Sequence, residues 1–249
     1  MSRTVLITGA GGFIWSAVTR LFVQAVEDEP PKFSDGTPVG HIVALLRPGG
    51  SPERLAELPK SAAWSVEHAD MTDRQALRDL LRRARPRAIL HLALDRAAHS
   101  DLAESPAPRI SSSPLGTLFE GLAGVPGARF IHTGSAWVLR PGDRLDETAP
   151  VEPRFAYARY KALEEDLLPV LGARTGVSWI NLRLFNTFGK YERASRLLPY
   201  LVSRLTHRRV AELSQGNQIR DFNDVESVAQ AYPAALRADD GASGGAYHI

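Results

Sequence analysis

The order of apolar segments in this chain predicts an α/β fold on a doubly wound parallel sheet. Three observations carry that expectation. Short runs of strand type alternate with segments of helical period along the chain. A glycine turn joins the first run to the first helical segment. The 249 residues, 44% of them hydrophobic, are enough for one sizeable core with a small appended lobe.

The elements follow in order. Residues 5–8 form an apolar strand, Gly9 to Gly12 a turn, and 13–26 an apolar-periodic helix. Residues 27–40 crowd Pro, Gly and acid, so they form a long surface loop. A second strand, 41–46, ends in Arg47-Pro-Gly-Gly, and Ser51-Pro-Glu-Arg opens a short helix. Residues 63–67 form a third strand that closes in Ala69-Asp70-Met71. Thr72-Asp-Arg-Gln75 reads as a capping box that starts a helix to Ala84. A fourth strand covers 87–92, and the polar, proline-bearing 95–114 is irregular in part. Then come a helix over 115–123, a strand over 128–132, a loop over 140–153, a helix over 155–171 and a strand over 177–184. Helices over 193–208 and 224–238 precede a final strand beginning at Tyr247. In such a sheet, ligands bind beyond the carboxyl ends of the strands. Gly9, Arg47, Asp70, His91, Ser135 and Asn186 fall at those ends.

Composition narrows the function classes. Thirty basic residues face 28 acidic ones, a net charge of +2. Arg82, Arg83, Arg85 and Arg87 form the densest basic cluster, read as a solvated helix end rather than a nucleic-acid patch. The chain has no cysteine, which removes disulfides, thiolate metal sites and a cysteine nucleophile. No His, Asp and Glu spacing matches a metal set, so His91, His99 and His132 are expected to be structural or to line substrate. Trp64, Trp137 and Trp179 read as core or cleft-wall residues. No charged-then-apolar leader opens the chain and no apolar run spans a bilayer, so a cytoplasmic protein is expected.

Two stretches carry chemistry. At the glycine turn, backbone N–H groups and the positive end of a helix dipole converge as an anion site for a pyrophosphate. Gly9 permits the tight turn and Gly12 lets a ligand approach the backbone, but Trp15 stands where a third glycine is expected. Tyr157-Ala-Arg-Tyr-Lys161 places a phenol and an ammonium on one helix face. A tyrosine hydroxyl titrates near ~10, and a neighbouring ammonium favours the phenolate, so the pair can exchange a proton with a carbinol oxygen. Ser135 can hold the same oxygen. The second strand ends in Arg47 with no acid at its tip, which predicts NADP(H) over NAD(H).

Thr8-Gly-Ala-Gly-Gly-Phe-Ile14, His91-Leu-Ala93, Gly116-Thr117, Phe130-Ile-His-Thr-Gly-Ser135, Tyr157-x-x-x-Lys161, Arg183-Leu-Phe-Asn186 and Gly216-Asn-Gln-Ile-Arg-Asp-Phe222 recur in a known order. In this the chain resembles the extended short-chain dehydrogenase/reductases, in particular the NAD-dependent epimerase/dehydratase family that acts on nucleotide sugars. The resemblance implies a Rossmann-type domain over 1–185 and a reduced substrate lobe over 186–249 whose segments return to the core. It implies Ser135, Tyr157 and Lys161 as the catalytic set, with Lys161 also on the nicotinamide ribose. It implies Asp70 at the adenine, and Gly9, Gly12, Phe13, Ile14, Arg47, Met71, Leu92, Ala93 and Leu184 along the cofactor. Asn186 and Arg220 would bind the substrate's diphosphate. The chain departs from the family at Trp15, at Ser113 for the usual Asn, at Val138-Leu-Arg140 for Val-Tyr-Gly, and at Tyr160 for Ser.

The expected function is a nucleotide-sugar 4-ketoreductase using NADP(H) or NAD(H). Ala136-Trp137 follows Ser135 where the family's 4,6-dehydratases carry Asp-Glu, so a dehydratase is disfavoured. A 4-epimerase with bound NAD is the alternative, and a non-catalytic binder, its pyrophosphate blocked by Trp15, is a second. Leu118, Phe119, Leu122, Leu163, Leu167 and Leu168 are candidates for a homodimer face on two helices.

Overall fold

A computed structural model describes residues 3–93, 113–142 and 144–249. The expected irregular stretch 95–114 and His99 fall almost wholly outside them. Among the described residues the main sheet has seven strands, all parallel: β1 (Thr4–Thr8), β2 (His41–Leu46), β3 (Trp64–His68), β4 (Ala88–His91), β5 (Arg129–Ser135), β6 (Ser178–Leu184) and β9 (Ala246–His248). Their order, β3-β2-β1-β4-β5-β6-β9, turns back beside β1, which leaves a crevice between the ends of β1 and β4.

The apolar alternation of β1 explains the double winding. Val5 and Ile7 point to one face, where α1 (Phe13–Asp28) and α6 (Val225–Arg237) cover them with Val18, Phe22, Val228 and Tyr232. Leu6 points to the other, covered by α2 (Arg74–Ala84), α3 (Leu115–Leu122) and α4 (Ala156–Thr175) through Leu77, Phe119 and Leu168. A strand wet on neither face can carry apolar residues on both, as residues 5–7 of β1 and 42–46 of β2 do.

Several boundaries move for local reasons. The cap of α2 is Asp73, whose carboxylate accepts from the amides of Gln75 and Ala76. Thr72 instead bonds Asp70 through its amide and hydroxyl. α4 runs past Pro169 to Thr175, because Leu168 and Leu171 on either side are buried and Gly176 (φ 71°) supplies the left-handed cap. The helix expected from 193 starts only at α5 (Leu197–Thr206). Pro199 lacks the N–H a helix interior needs, so it must lie in the first turn. Arg87 is not part of a solvated helix end. It is 2% exposed, grips the carboxylate of Asp35 with two nitrogens (3.3 and 2.8 Å) and lies over the Phe33 ring, fastening the long loop after α1 to the foot of the sheet.

The last quarter of the chain divides its segments. β7 (Asn186–Phe188) and β8 (Phe222–Asp224) pair in parallel as a separate two-stranded sheet, and α5 has no buried residue. α6 and β9 return to the main core. Asp224 caps α6 at its start, and buried Arg129 binds the carbonyls of Ala235, Ala238 and Asp239 at its end. Leu118, Phe119, Leu122 and Leu168, expected on a dimer face, are each 0% exposed within a single chain. Their apolar surface is taken up by their own sheet.

Candidate active site

Gly9 takes a left-handed conformation (φ 74°), and a Cβ there would stand 2.9 Å from Ala93 Cα, so the turn after β1 is packed directly on the end of β4. Thr8 makes this junction. Its hydroxyl oxygen accepts from the amides of Leu92 (3.1 Å) and Ala93 (3.2 Å) and lies 3.0 Å from His91 Nδ1. With both lone pairs occupied, the hydroxyl donates to the imidazole. Burial agrees, holding His91 neutral with a pKa of about 3. Phe13 and Ile14 open α1, which has no acidic residue in its first turn to answer the dipole.

The expected third glycine shows its consequence here. A Cβ built on Gly12 would meet Trp15 Cδ1 at 1.6 Å and Nε1 at 2.0 Å. The indole therefore covers the side of Gly12 that glycine normally leaves bare for a pyrophosphate, while α1 keeps its place on the sheet. Arg54, which belongs to no motif, fixes the preceding residue of the turn. It donates to the Gly11 carbonyl (2.9 Å) and to the Tyr191 carbonyl (3.4 Å). Tyr191 has φ 70° and lies among the cations of Arg20, Arg54 and Lys190. No local sequence signal marks it, because Arg20 and Arg54 reach it from two distant segments and only Lys190 is its neighbour in the chain.

Arg47 is exposed at the tip of β2 and makes no ion pair with a described residue. Asp70 is exposed at the tip of β3, beside Met71. Its carboxyl is held below the ordinary range by the Thr72 amide and then the Thr72 hydroxyl. A dinucleotide thus finds a fitting turn, helix end and strand tips. Only at Gly12 must the indole swing aside before phosphate oxygens can reach the amides.

At the other end of the crevice stand Ser135, Tyr157 and Lys161. Ser135 is 4% exposed at the end of β5, and its Oγ accepts from the Trp137 amide (3.3 Å). Tyr157 is half-buried on α4. Lys161, one turn on, is 4% exposed, with Nζ donating to the Thr133 carbonyl (3.0 Å) and to Glu164 (2.8 Å). Leu184, 6% exposed, ends β6 beside Ser135. His132 is fully buried and His91 nearly so, and they stack at 6.1 Å; these two are structural and line no surface.

Asn186 and Arg220 meet through the small sheet. The Asn186 amide and side-chain nitrogen both donate to the Asp221 carbonyl (3.3 and 3.2 Å), next to Arg220. The Arg220 guanidinium lies 5.7 Å from the Trp137 ring, which meets Phe155 edge-on at 5.5 Å, and Phe155 stacks on Tyr157 at 6.3 Å. A cation and two aromatics, Trp137 47% and Phe155 38% exposed, thus form a wall that ends at the tyrosine. No metal-binding cluster occurs among the described residues.

Comparison with known proteins places this geometry. The chain is 26% identical to a dTDP-glucose 4,6-dehydratase of Shigella flexneri over 98% of its length and 71% of the relative's. It is 28% identical to one of Streptomyces niveus over the same shares. A solved dTDP-glucose 4,6-dehydratase from Streptomyces venezuelae, with NAD and TYD bound, superposes with a TM-score of 0.79 at 23% identity, covering 99% of this chain and 75% of that one. The UDP-glucose 4-epimerase of Thermotoga maritima does so at 0.77 and 18%, covering 99% and 76%. The family model for the NAD-dependent epimerase/dehydratase family matches residues 5–249, which takes in the glycine turn, the Tyr157–Lys161 helix and the returning strand, and the chain belongs to that family of NAD-dependent enzymes.

Proposed function

We propose that the protein is an NAD(P)(H)-dependent oxidoreductase that reduces a keto group at C4 of a nucleotide-linked sugar. The observation that carries the reading is the set at the end of β5, with Ser135 on the strand and Tyr157 and Lys161 one turn apart on α4. When bound, a nicotinamide would supply the hydride. Tyr157 gives the proton to the sugar oxygen, Lys161 stabilises the phenolate left behind, and Ser135 orients the carbonyl. Asn186 and Arg220 hold the diphosphate, and the Trp137–Phe155 wall lies along the sugar. Residues 1–185 then serve the cofactor and 186–249 the substrate.

The curated relatives named above are dehydratases. Dehydration needs an acid and a base beside the hydroxyl group that starts the reaction, and Ala136 and Trp137 supply neither. A 4-epimerase needs only the three residues present, so it stands as the second reading. The indole over Gly12 favours a third, a family member that binds ligand without turnover. We further propose NADP(H) as the preferred cofactor, on the strength of Arg47, and a cytoplasmic homodimer whose face would use the half-buried Leu163 and Leu167 rather than the four buried residues. No described helix is long and apolar enough to cross a membrane.

Tyr157→Phe tests the assignment. The fold and cofactor affinity should persist while turnover falls by about 100- to 10,000-fold, the usual worth of general acid–base help. A variant near wild-type turnover would remove Tyr157 from the chemistry.

A further inference from the structure

Behind β5 lies a carboxylate that the proton-transfer set does not itself use. Glu164 is 1% exposed, one helical turn beyond Lys161. Its Oε2 lies 2.8 Å from Lys161 Nζ and 3.3 Å from Nε2 of His132 on β5. His132 Nδ1 lies 2.8 Å from Asn181 Oδ1 on β6. A carboxylate oxygen can only accept, so Lys161 and His132 both donate to one atom. Glu165, the next residue, binds Arg183 instead at 2.8 Å. The titratable groups facing Lys161 and Glu164 are therefore Tyr157 and Glu165 from α4, His132 from β5 and His91 from β4.

An ammonium this deeply buried tends to lose its proton, and buried lysines reach pKa values of about 5–6. Burial does pull Lys161 down, but the Glu164 carboxylate, with Tyr157 adding to it, outweighs burial and holds the ammonium above its ordinary range. Burial likewise pushes Glu164 up, and Lys161 together with the His132 hydrogen bond holds it well below the usual carboxylate range. The pair is mutually dependent: without Glu164, burial alone would act on Lys161 and favour its neutral form.

We propose that Glu164 is a positioning residue for the reaction: braced by His132 and Asn181, it keeps the buried Lys161 side chain charged and in place beside Tyr157. This rests on Tyr157 being the proton-transfer group. Without the carboxylate, Lys161 becomes neutral and the Tyr157 phenolate loses its cation.

The test needs neither substrate nor turnover. Phenolate absorbance is titrated on the cofactor-free protein, and subtraction of the Tyr157→Phe curve isolates Tyr157. Wild type is compared with Glu164→Gln and with the double variant Lys161→Met/Glu164→Gln. The Tyr157 midpoint should rise by about one pH unit or more in Glu164→Gln, as a lost neighbouring cation requires, and the double variant should rise no further. A Glu164→Gln midpoint that stays at the wild-type value or falls overturns the proposal, since Lys161 would then hold its charge unaided. Should Glu164→Gln fail to fold while the double variant folds, the proposal is overturned as well, because a lysine that destabilises the fold as an unpaired charge has kept its proton without Glu164. If neither folds, Glu164 is structural and the proposal falls. A wild type that turns over no nucleotide sugar defeats the functional reading yet leaves this titration decisive.

Discussion

Trp15 shows how one side chain redirects a backbone motif. The glycine turn is formed as the sequence predicts, with Gly9 in the left-handed region and α1 beginning at Phe13. Substitution of the third glycine leaves the helix in place and puts an indole over Gly12. Phosphate contacts from a helix N-terminus act over hydrogen-bond distance, so the ring must rotate before they form. Trp15→Gly should therefore tighten NADP(H) or NAD(H) binding by about ten-fold, roughly 1.4 kcal/mol, in side-by-side titrations. Unchanged or weaker binding would mean that the indole is itself part of the cofactor site. Arg47 gives a second test at this scale. Arg47→Ala should weaken NADP(H) more than NAD(H), and equal loss of both would remove its selective role. Residues with a local signature, such as Gly9 and the Tyr157–Lys161 spacing, were legible in the sequence. Glu164, Arg54 and Tyr191 were not. Each acquires its meaning from partners far along the chain, or, for Glu164, from a burial that its own helix pattern does not disclose.

Among the elements, strands with uninterrupted apolar runs were read closely, since burial on both faces leaves a strong signal. Helix ends were read less well. Thr72 and Asp73 are both good caps, and the choice fell to Asp73 because Thr72 was taken by Asp70. β7 and β8 escaped because strands of three residues, Asn186–Phe188 and Phe222–Asp224, are too short to show alternation. The loop after α1 was legible as a loop, but its anchor was not, since Arg87 looked like one more helix-end cation. That anchor has a pH signature. Asp35 is held far below the ordinary carboxylate range by Arg87 first and then by the Thr37 amide. A depressed folded-state pKa contributes stability above the unfolded value, near ~3.9, and loses it as pH falls toward the folded value. In thermal melts the wild type should exceed Asp35→Asn at neutral pH, and the gap should close on acidification below pH ~4. A gap that is constant with pH would remove the ion pair as its cause.

At the scale of the whole molecule, the parallel sheet order follows from the alternation of strands and helices, and it sets Gly9, Arg47, Asp70 and Ser135 along one edge, at the carboxyl ends of its strands. The division of the last quarter between a small outer sheet and a returning helix and strand was legible only in outline. The returning part is fixed by buried contacts of Arg129 and Tyr232, whereas α5 buries no residue. The central claim is that this edge moves a hydride between a nicotinamide and C4 of a nucleotide-linked sugar, with Tyr157 handling the proton. The most direct measurement supplies NADPH or NADH deuterated at the transferable position of nicotinamide C4, together with a nucleotide-linked 4-ketosugar. The label is then located in the product for wild type and for Tyr157→Phe. Deuterium is expected at sugar C4, with one oxidised cofactor per product and little product from Tyr157→Phe. An unlabelled product, or equal label from both proteins, would contradict it.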